Sequence, residues 1–274
     1  KNSSAAFTAN LFMELRKCCN HPFLLKGVEE HVNGMQPITD ELELLVKTSG
    51  KMVLLDKLLP KLKNGGHRVL IFSQFKIMLN IIEDYLHLSG VNYERIDGGI
   101  KGKNRFDAVE RFQNDDSILV FLLTTTAGGV GLNLTAADTC IIFDSDFNPQ
   151  NDLQAQARCH RIGQKKNVQV YRFLTTKTIE MKYFEFGSRK LGLDKVVLQG
   201  VEGQDDTLIS AKETELLLRH GAYHLLSQPE DELDSESKRF MEEDIDTILL
   251  RRSKKKVHNE AQSSSTSFQK ATFI

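Results

Sequence analysis

No apolar run in this 274-residue chain approaches the roughly 18 residues that span a bilayer, and no signal peptide is visible. A membrane partner is therefore not expected. Cysteine is scarce: Cys18, Cys19, Cys140 and Cys159 show neither disulfide-like nor paired Cys-x-x-Cys spacing. That argues against a disulfide scaffold and for a reducing compartment. Cys18, Cys19 and His21 make a poor zinc set, because adjacent cysteines rarely both reach one tetrahedral ion and no fourth ligand lies nearby. Apolar helix packing is the expected role of that cysteine pair. Also lacking is any Gly-x-x-x-x-Gly-Lys-Ser/Thr. Ser49-Gly50-Lys51 runs into Met52 without an upstream glycine, so no phosphate-cradling loop is expected there. No Asp-Glu-x-His box follows an apolar strand. An excess of positive charge is missing too: Lys and Arg total 36, Asp and Glu 37, and the net charge is −1. A protein that grips duplex nucleic acid by counterion release is often visibly basic. Any such contact here has to come from the placement of a few groups.

Much is present all the same. Apolar residues make up 40% of the chain, enough for a sizeable core. The most informative stretch is Gln154-Ala-Gln-Ala-Arg-Cys-His-Arg-Ile-Gly-Gln164. Successive helical residues advance by roughly 100°, which predicts Gln154, Arg158 and Arg161 on one stripe of a helix. Guanidinium forks match phosphate oxygens, and beside a transferring γ-phosphoryl group they stabilise charge that grows in the transition state. The bland alternative pairs these arginines with Asp146 or Asp152.

Upstream, Ile118 to Leu123 is unbroken apolar sequence, as expected of a strand buried on both faces of a parallel sheet. It ends in Thr124, Thr125 and Thr126, then Gly128, Gly129 and Gly131. Hydroxyls and bare amides at such a strand end can approach phosphate closely. A second run, Cys140 to Phe143, ends at Asp144, and Pro149 suits an early position of the arginine helix. Asp144 and Asp146 are expected to orient loop amides or to partner the arginines rather than to bind metal.

Periodicity predicts helices over 5–20, with Leu11, Phe12, Leu15 and Cys18/Cys19 on one face, and over Lys51 to Leu62, stopped by Gly65-Gly66. Residues 27–40 read as a polar loop. Strands are expected at Val69 to Phe72, Val91 to Ile96 and near 118–123, 139–143 and 168–174. Helices are expected at Phe75 to Leu88, at Lys103 to Gln113 with Phe106, Val109 and Phe112 inward, at Ile179 to Leu193, and near 210–226 and 240–250. This alternation implies an α/β fold with a right-handed parallel sheet. Beyond about residue 200 the chain is charged and partly irregular. Glu230, Asp231, Glu232, Asp234 and Glu236 form an acidic block, and Arg251, Arg252, Lys254, Lys255 and Lys256 a basic one. Ser263, Ser264, Ser265 and Ser267 suggest a flexible or partner-dependent end.

Arg68 to Gln74, Tyr93 to Gly98, Leu123 to Leu134 and Gln154 to Gln164 resemble helicase motifs IV, IVa, V and VI, in that order. The wording of Asp146-Phe-Asn-Pro149 and Arg161-Ile-Gly-Gln164 is similar to the SWI/SNF-type branch of superfamily 2. Leu15 to Phe23 and Ser49 to Lys57 match that branch too. Leu191 to Gln199, Leu217 to Tyr223, Glu242 to Arg252 and Ser267 to Phe273 resemble the chromodomain-helicase-DNA-binding (CHD) remodellers, above all their third subfamily.

The resemblance implies a RecA-like second lobe over 50–199, a helical protrusion and loop over 1–49, and a bridge or regulatory extension over 200–274. It implies a parent ATP hydrolase that translocates on double-stranded DNA and remodels nucleosomes in the nucleus. Partners would be the first RecA-like lobe of the same parent chain, DNA, and the nucleosome with its histones. ATP and Mg²⁺ would be held mainly by that first lobe, so this chain alone is expected not to hydrolyse ATP. Arg158, Arg161 and Gln154 would serve catalysis, with Gly131, Arg158 and Arg161 at ATP; Gly131 and Asn133 read equally as structural. Ser73, Gln74, Gly98, Thr124, Thr125, Gly128 and Gly129 would follow the DNA backbone, although Ser73 alone reads equally as a helix cap. Thr126 departs from the Arg or Lys usual in relatives, and Phe147 from Trp. A docking or autoregulatory module, or another nucleic-acid helicase of superfamily 2, is the rival reading.

Overall fold

Burial on both faces decides the sheet. The structure, a computed structural model, describes residues 2–35, 40–100, 102–128, 131–197, 230–255 and 272–273. Strands β1 (Val69–Ser73), β2 (Tyr93–Ile96), β3 (Val120–Thr124), β4 (Thr139–Ile142) and β5 (Gln169–Arg172) run parallel in the order β2-β3-β1-β4-β5. A two-residue β6 (Thr272–Phe273) adds to β5. Every residue of β1 and β3 is buried, as their apolar runs require. Alternation along the strands puts Leu70, Phe72, Phe121, Leu123, Cys140 and Ile142 into one core cluster. Ala108 and Phe112 of helix α6 (Lys103–Asn114) belong to it, as do Leu134, Ala155 and Cys159. Helices α4 (Gly50–Asn64) and α5 (Lys76–Leu88) bury Met52, Leu55, Leu58, Met78, Leu79 and Ile82.

The chain divides into two compact units. One comprises Asp40–Asp146, Gln150–Leu174 and Glu242–Ile274 and holds the sheet; the other comprises Lys1–Thr39, Phe147–Pro149 and Thr175–Met241. In the second unit, α1 (Asn2–Asn20) and α9 (Ile179–Val197) meet through Phe12, Ile179 and Tyr183, with Leu15, Cys19 and Phe147 packed alongside.

Several local expectations fail for identifiable reasons. On α1, the buried stripe is Phe12, Leu15 and Cys19, while Leu11 and Cys18, one residue earlier, face out. Phe106 is 71% exposed, because it lies about 120° around the helix from Phe112. Residues 28–35, expected in a loop, form helix α2 (Val28–Met35), with Glu29 and Glu30 at its positive end. The acidic block begins α10 (Glu230–Glu242) rather than irregular chain. Asp244 then starts α11 (Ile245–Arg251), accepting from the Asp246 and Thr247 amides. The break at Asp244 splits the single helix expected over 240–250. The helix expected near 210–226 lies outside the described residues.

At the opposite end of the sheet from the strand carboxyl ends, Arg68 joins three segments. Its guanidinium donates to the carbonyls of Phe112, Asp115 (3.0 Å) and Ile118 (3.1 Å), and lies 4.2 Å over the Phe112 ring. Burial lowers its proton affinity, against the pull of Asp116 and Asp115. Arg68→Ala is expected to cost about 2–3 kcal/mol by stranding buried carbonyls. Urea unfolding of the purified chain checks this, and an unchanged midpoint would refute the assignment.

Candidate functional site

The parallel register lines up the carboxyl ends of β1, β2 and β3 along one edge. Ser73 stands in register with Thr124, and Ile96, just before Asp97 and Gly98, with Leu123. In an open α/β sheet this edge is where ligands bind. Gly98 is exposed and open, beside a network in which Asp97 accepts from Arg95 (2.9 Å), Lys76 (3.3 Å) and the Gly99 amide (2.8 Å). Those cations and the amide hold the Asp97 carboxyl below its ordinary value, despite the opposing effect of desolvation. Thr124 and Thr125 are buried, and the Thr125 hydroxyl has no protein partner. Thr126, the residue after it, is exposed. Gly128 ends the single-turn helix α7 (Thr125–Gly128), and Gly129 lies outside the described residues.

The Ser73 side chain does not reach out. It is buried and donates to the Asp144 carboxylate, whose other oxygen accepts from the Gln74 amide at 2.9 Å. Its oxygen also accepts from the Phe75 amide at 3.2 Å. Asp144 thus orients a loop amide, one of the two roles expected of it. The Ser73 hydroxyl is therefore committed within the protein.

Two buried charges were missed as functional candidates. Asp152, on α8 (Pro149–Gln156), is wholly buried and bonded to Arg172 at the end of β5. It also accepts from the Asp146 amide at 3.0 Å, and Arg172 donates to Ser145 at 3.0 Å. Burial pushes the Asp152 carboxyl up to about 6, outweighing the pull of Arg172 and the Asp146 amide. Asp152 is therefore committed to Arg172 and does not serve as the surface partner the bland alternative gave the arginines. Lys51 is the other: it donates to the Phe143 carbonyl at 2.9 Å and sits 5.6 Å from that ring. Ser49 caps α4 by accepting from Met52 at 3.3 Å. Ser49-Gly50-Lys51 is a helix start turned inward. The single acidic residue of a glutamine-rich helix was the available signal for Asp152; Lys51 gave none.

The arginine segment corrects one expectation. Helix α8 stops at Gln156, so Gln154, Arg158 and Arg161 do not share a helical stripe. Tight turns follow, with Arg158 N on Ala155 O (3.1 Å) and Cys159 N on Gln156 O (3.2 Å). The cause is tertiary. Cys159 is buried, and the Gln164 amide reaches back to the carbonyls of Ala137 (2.8 Å), Thr135 (3.2 Å) and Cys159 (3.2 Å). Gln154 is exposed, Arg158 half-buried and Arg161 exposed. Arg161 donates to the Gly131 carbonyl at 2.9 Å, and Arg158 O accepts from Leu134 N at 3.4 Å. Burial and then the nearby positive charge of Arg161 lower the proton affinity of Arg158. The Arg161 guanidinium and the Arg158 backbone thus both meet the 131–134 segment.

Residues 50–163 match the helicase conserved C-terminal domain. The chain is similar to the RecA-like second lobe of SWI/SNF-type proteins, and it is 53% identical over 97% of its length to chromodomain-helicase-DNA-binding protein 9 of Mus musculus. To protein 7 of that name from Homo sapiens it is also 53% identical over 97%. The lobe covers 10% and 9% of those relatives, so it spans about a tenth of their length. Its fold is similar to the C-terminal part of the Fun30 ATPase domain, with a TM-score of 0.55 and 32% identity over 75% of this chain and 60% of that one. Phe147, the departure from Trp, keeps an aromatic contact within its unit, edge-on to Tyr183 at 5.1 Å.

Gly131 serves the lobe's backbone directly. Its φ of +53° lies in the left-handed region, where a side chain costs about 1–2 kcal/mol. Gly131→Ala is expected to destabilise the lobe by about that amount. A thermal melt with no loss would show that the segment relaxes freely.

Proposed function

We propose that the lobe is the second half of an ATP-dependent double-stranded DNA translocase that remodels nucleosomes in the nucleus. Arg158 and Arg161 would enter a cleft completed by the first RecA-like lobe of the parent chain and neutralise the γ-phosphate, with Gln154 and Gly131 beside them. Ser73, Gln74, Gly98, Thr124, Thr125, Gly128 and Gly129 would track one DNA strand through backbone and hydroxyl contacts. The functional parts would be a protrusion over 1–49, the lobe over 50–199 and an extension over 200–274. One observation carries the reading: Arg161 holds the Gly131 carbonyl at 2.9 Å, and it lies near enough to the partly buried Arg158 for like charge to lower that residue's proton affinity. A bound phosphate would relieve that like-charge contact.

The donor set of this lobe does not suit Mg²⁺. Among the described residues no three His, Cys, Asp or Glu side chains gather to hold an ion. The resemblance assigns Mg²⁺ and most ATP contacts to the first lobe, and no step here depends on them. The lobe alone is expected not to hydrolyse ATP. In the two-lobe protein, Arg158→Ala or Arg161→Ala should lower DNA-stimulated turnover by about 10³-fold or more while sparing ATP binding. Near-normal turnover in both would sink the reading. Stimulation by single-stranded RNA instead of duplex DNA would favour an RNA-directed relative.

A docking role for the extension has its own support. Helix α11 seats on α4, burying Ile248, with Lys57 donating to the Glu243 carbonyl and Lys61 paired with Asp246. Deleting residues 201–274 from the two-lobe protein is expected to change ATPase rate or its DNA dependence. Unchanged values would make the extension a passive tail.

A further inference from the structure

We infer that the buried Asp152–Arg172 pair is a positioning device, which fixes the arginine segment to the DNA-facing end of β1 through residues 144–146. The inference rests on the reading of Arg158 and Arg161 as phosphate ligands.

Three consecutive residues after β4 each hold a different element. Asp144 takes the end of β1, through the Ser73 hydroxyl and the Gln74 amide. Ser145 takes the end of β5, accepting from Arg172 at 3.0 Å. Asp146 takes α8, its amide donating to Asp152 at 3.0 Å. Asp152 and Arg172 close the circuit between α8 and β5. Asp152, Ala155, Gln156 and Cys159 form the buried stripe that runs from α8 into the turns, so the carboxylate anchors the root of the segment bearing both arginines.

A purely structural pair is a poor explanation. Apolar residues of similar volume are often as stabilising as a buried ion pair, or more so. What apolar residues cannot supply is direction. One guanidinium nitrogen of Arg172 reaches both Ser145 and Asp152, and Asp152 in turn fixes a backbone amide. Displacement of a strand end carrying nucleic acid would therefore move α8 with it, and the arginines follow.

The test uses the full-length protein carrying both lobes. Asp152→Leu combined with Arg172→Met replaces the pair by apolar bulk, and Ser145→Ala removes only the hydroxyl. Both are compared for melting, DNA-stimulated kcat, and affinity for a non-hydrolysable ATP analogue and for ADP–aluminium fluoride. The double variant is expected to melt near the parent temperature yet lose about 10-fold or more in kcat and in ADP–aluminium fluoride affinity. Its affinity for the ATP analogue should stay within about twofold. Ser145→Ala should show the same selective loss to a smaller degree, and it decides the matter if the double variant does not fold. Parental kcat in either folded variant, or losses for both nucleotides that simply follow melting, would overturn the inference. If Arg158→Ala and Arg161→Ala also turn over normally, the arginine reading itself has failed. If those two fail while the pair variants work, only the positioning role is lost.

Discussion

A carboxylate sealed from water organises the carboxyl edge of this lobe. A buried carboxylate after β4 needs donors, and those of Asp144 include the Ser73 hydroxyl and the Gln74 amide of the neighbouring strand. That requirement fixes how β1 leaves the sheet. The same demand recurs at Lys51, which settles on the Phe143 carbonyl, and at Arg172, which settles on Ser145 and Asp152. Residues 143–146 are thus gripped from several sides, and the candidate nucleic-acid edge shares them with the arginine segment.

Several basic side chains are committed inside the fold. Lys51, Arg68 and Arg172 spend their charge on internal carbonyls and carboxylates, and Arg95 and Lys76 share Asp97. Arg161 donates to the Gly131 carbonyl, and the resolved influences on Arg158 are burial and then Arg161. Bulk charge counts say little about a surface whose binding groups are strand-end amides and hydroxyls. A phosphate track built that way needs placement, which parallel register supplies.

The middle of the sheet was legible because three of its strands obey one rule; β2, in which only Ile96 is fully buried, does not. Continuous apolar runs ending in polar residues can only be strands buried on both faces, so β1, β3 and β4 fall where the sequence puts them. Helix faces were harder to read. Phe106 and Leu11 are apolar but sit one position off the buried stripe, and composition alone cannot distinguish a core phenylalanine from an exposed one. The arginine segment failed differently. Its spacing is helical, yet Cys159 and Gln164 are tied to β4 and to the 135–137 segment, and these distant bonds overwind the chain beyond Gln156. Long-range partners also explain why Asp152 and Lys51 were overlooked: their roles exist only once β5 and β4 are in place.

The resting contact of Arg161 is compatible with a catalytic task on energetic grounds. Its guanidinium holds the Gly131 carbonyl at 2.9 Å and meets the Leu132 carbonyl at 3.5 Å. Releasing a hydrogen bond from a charged donor costs about 1.5–3 kcal/mol. An arginine that stabilises a transferring phosphoryl group contributes about 10³- to 10⁵-fold in rate, or roughly 4–7 kcal/mol. Under the proposed reading the gain exceeds the cost, so the carbonyls act as a holding position. Repulsion from Arg158 lowers the cost further, because the two cations are less stable together before an anion arrives than after it. Closure of the cleft would then be favoured by the nucleotide itself, with the buried pair at Asp152 keeping the arginines aimed while they exchange a carbonyl for a phosphate.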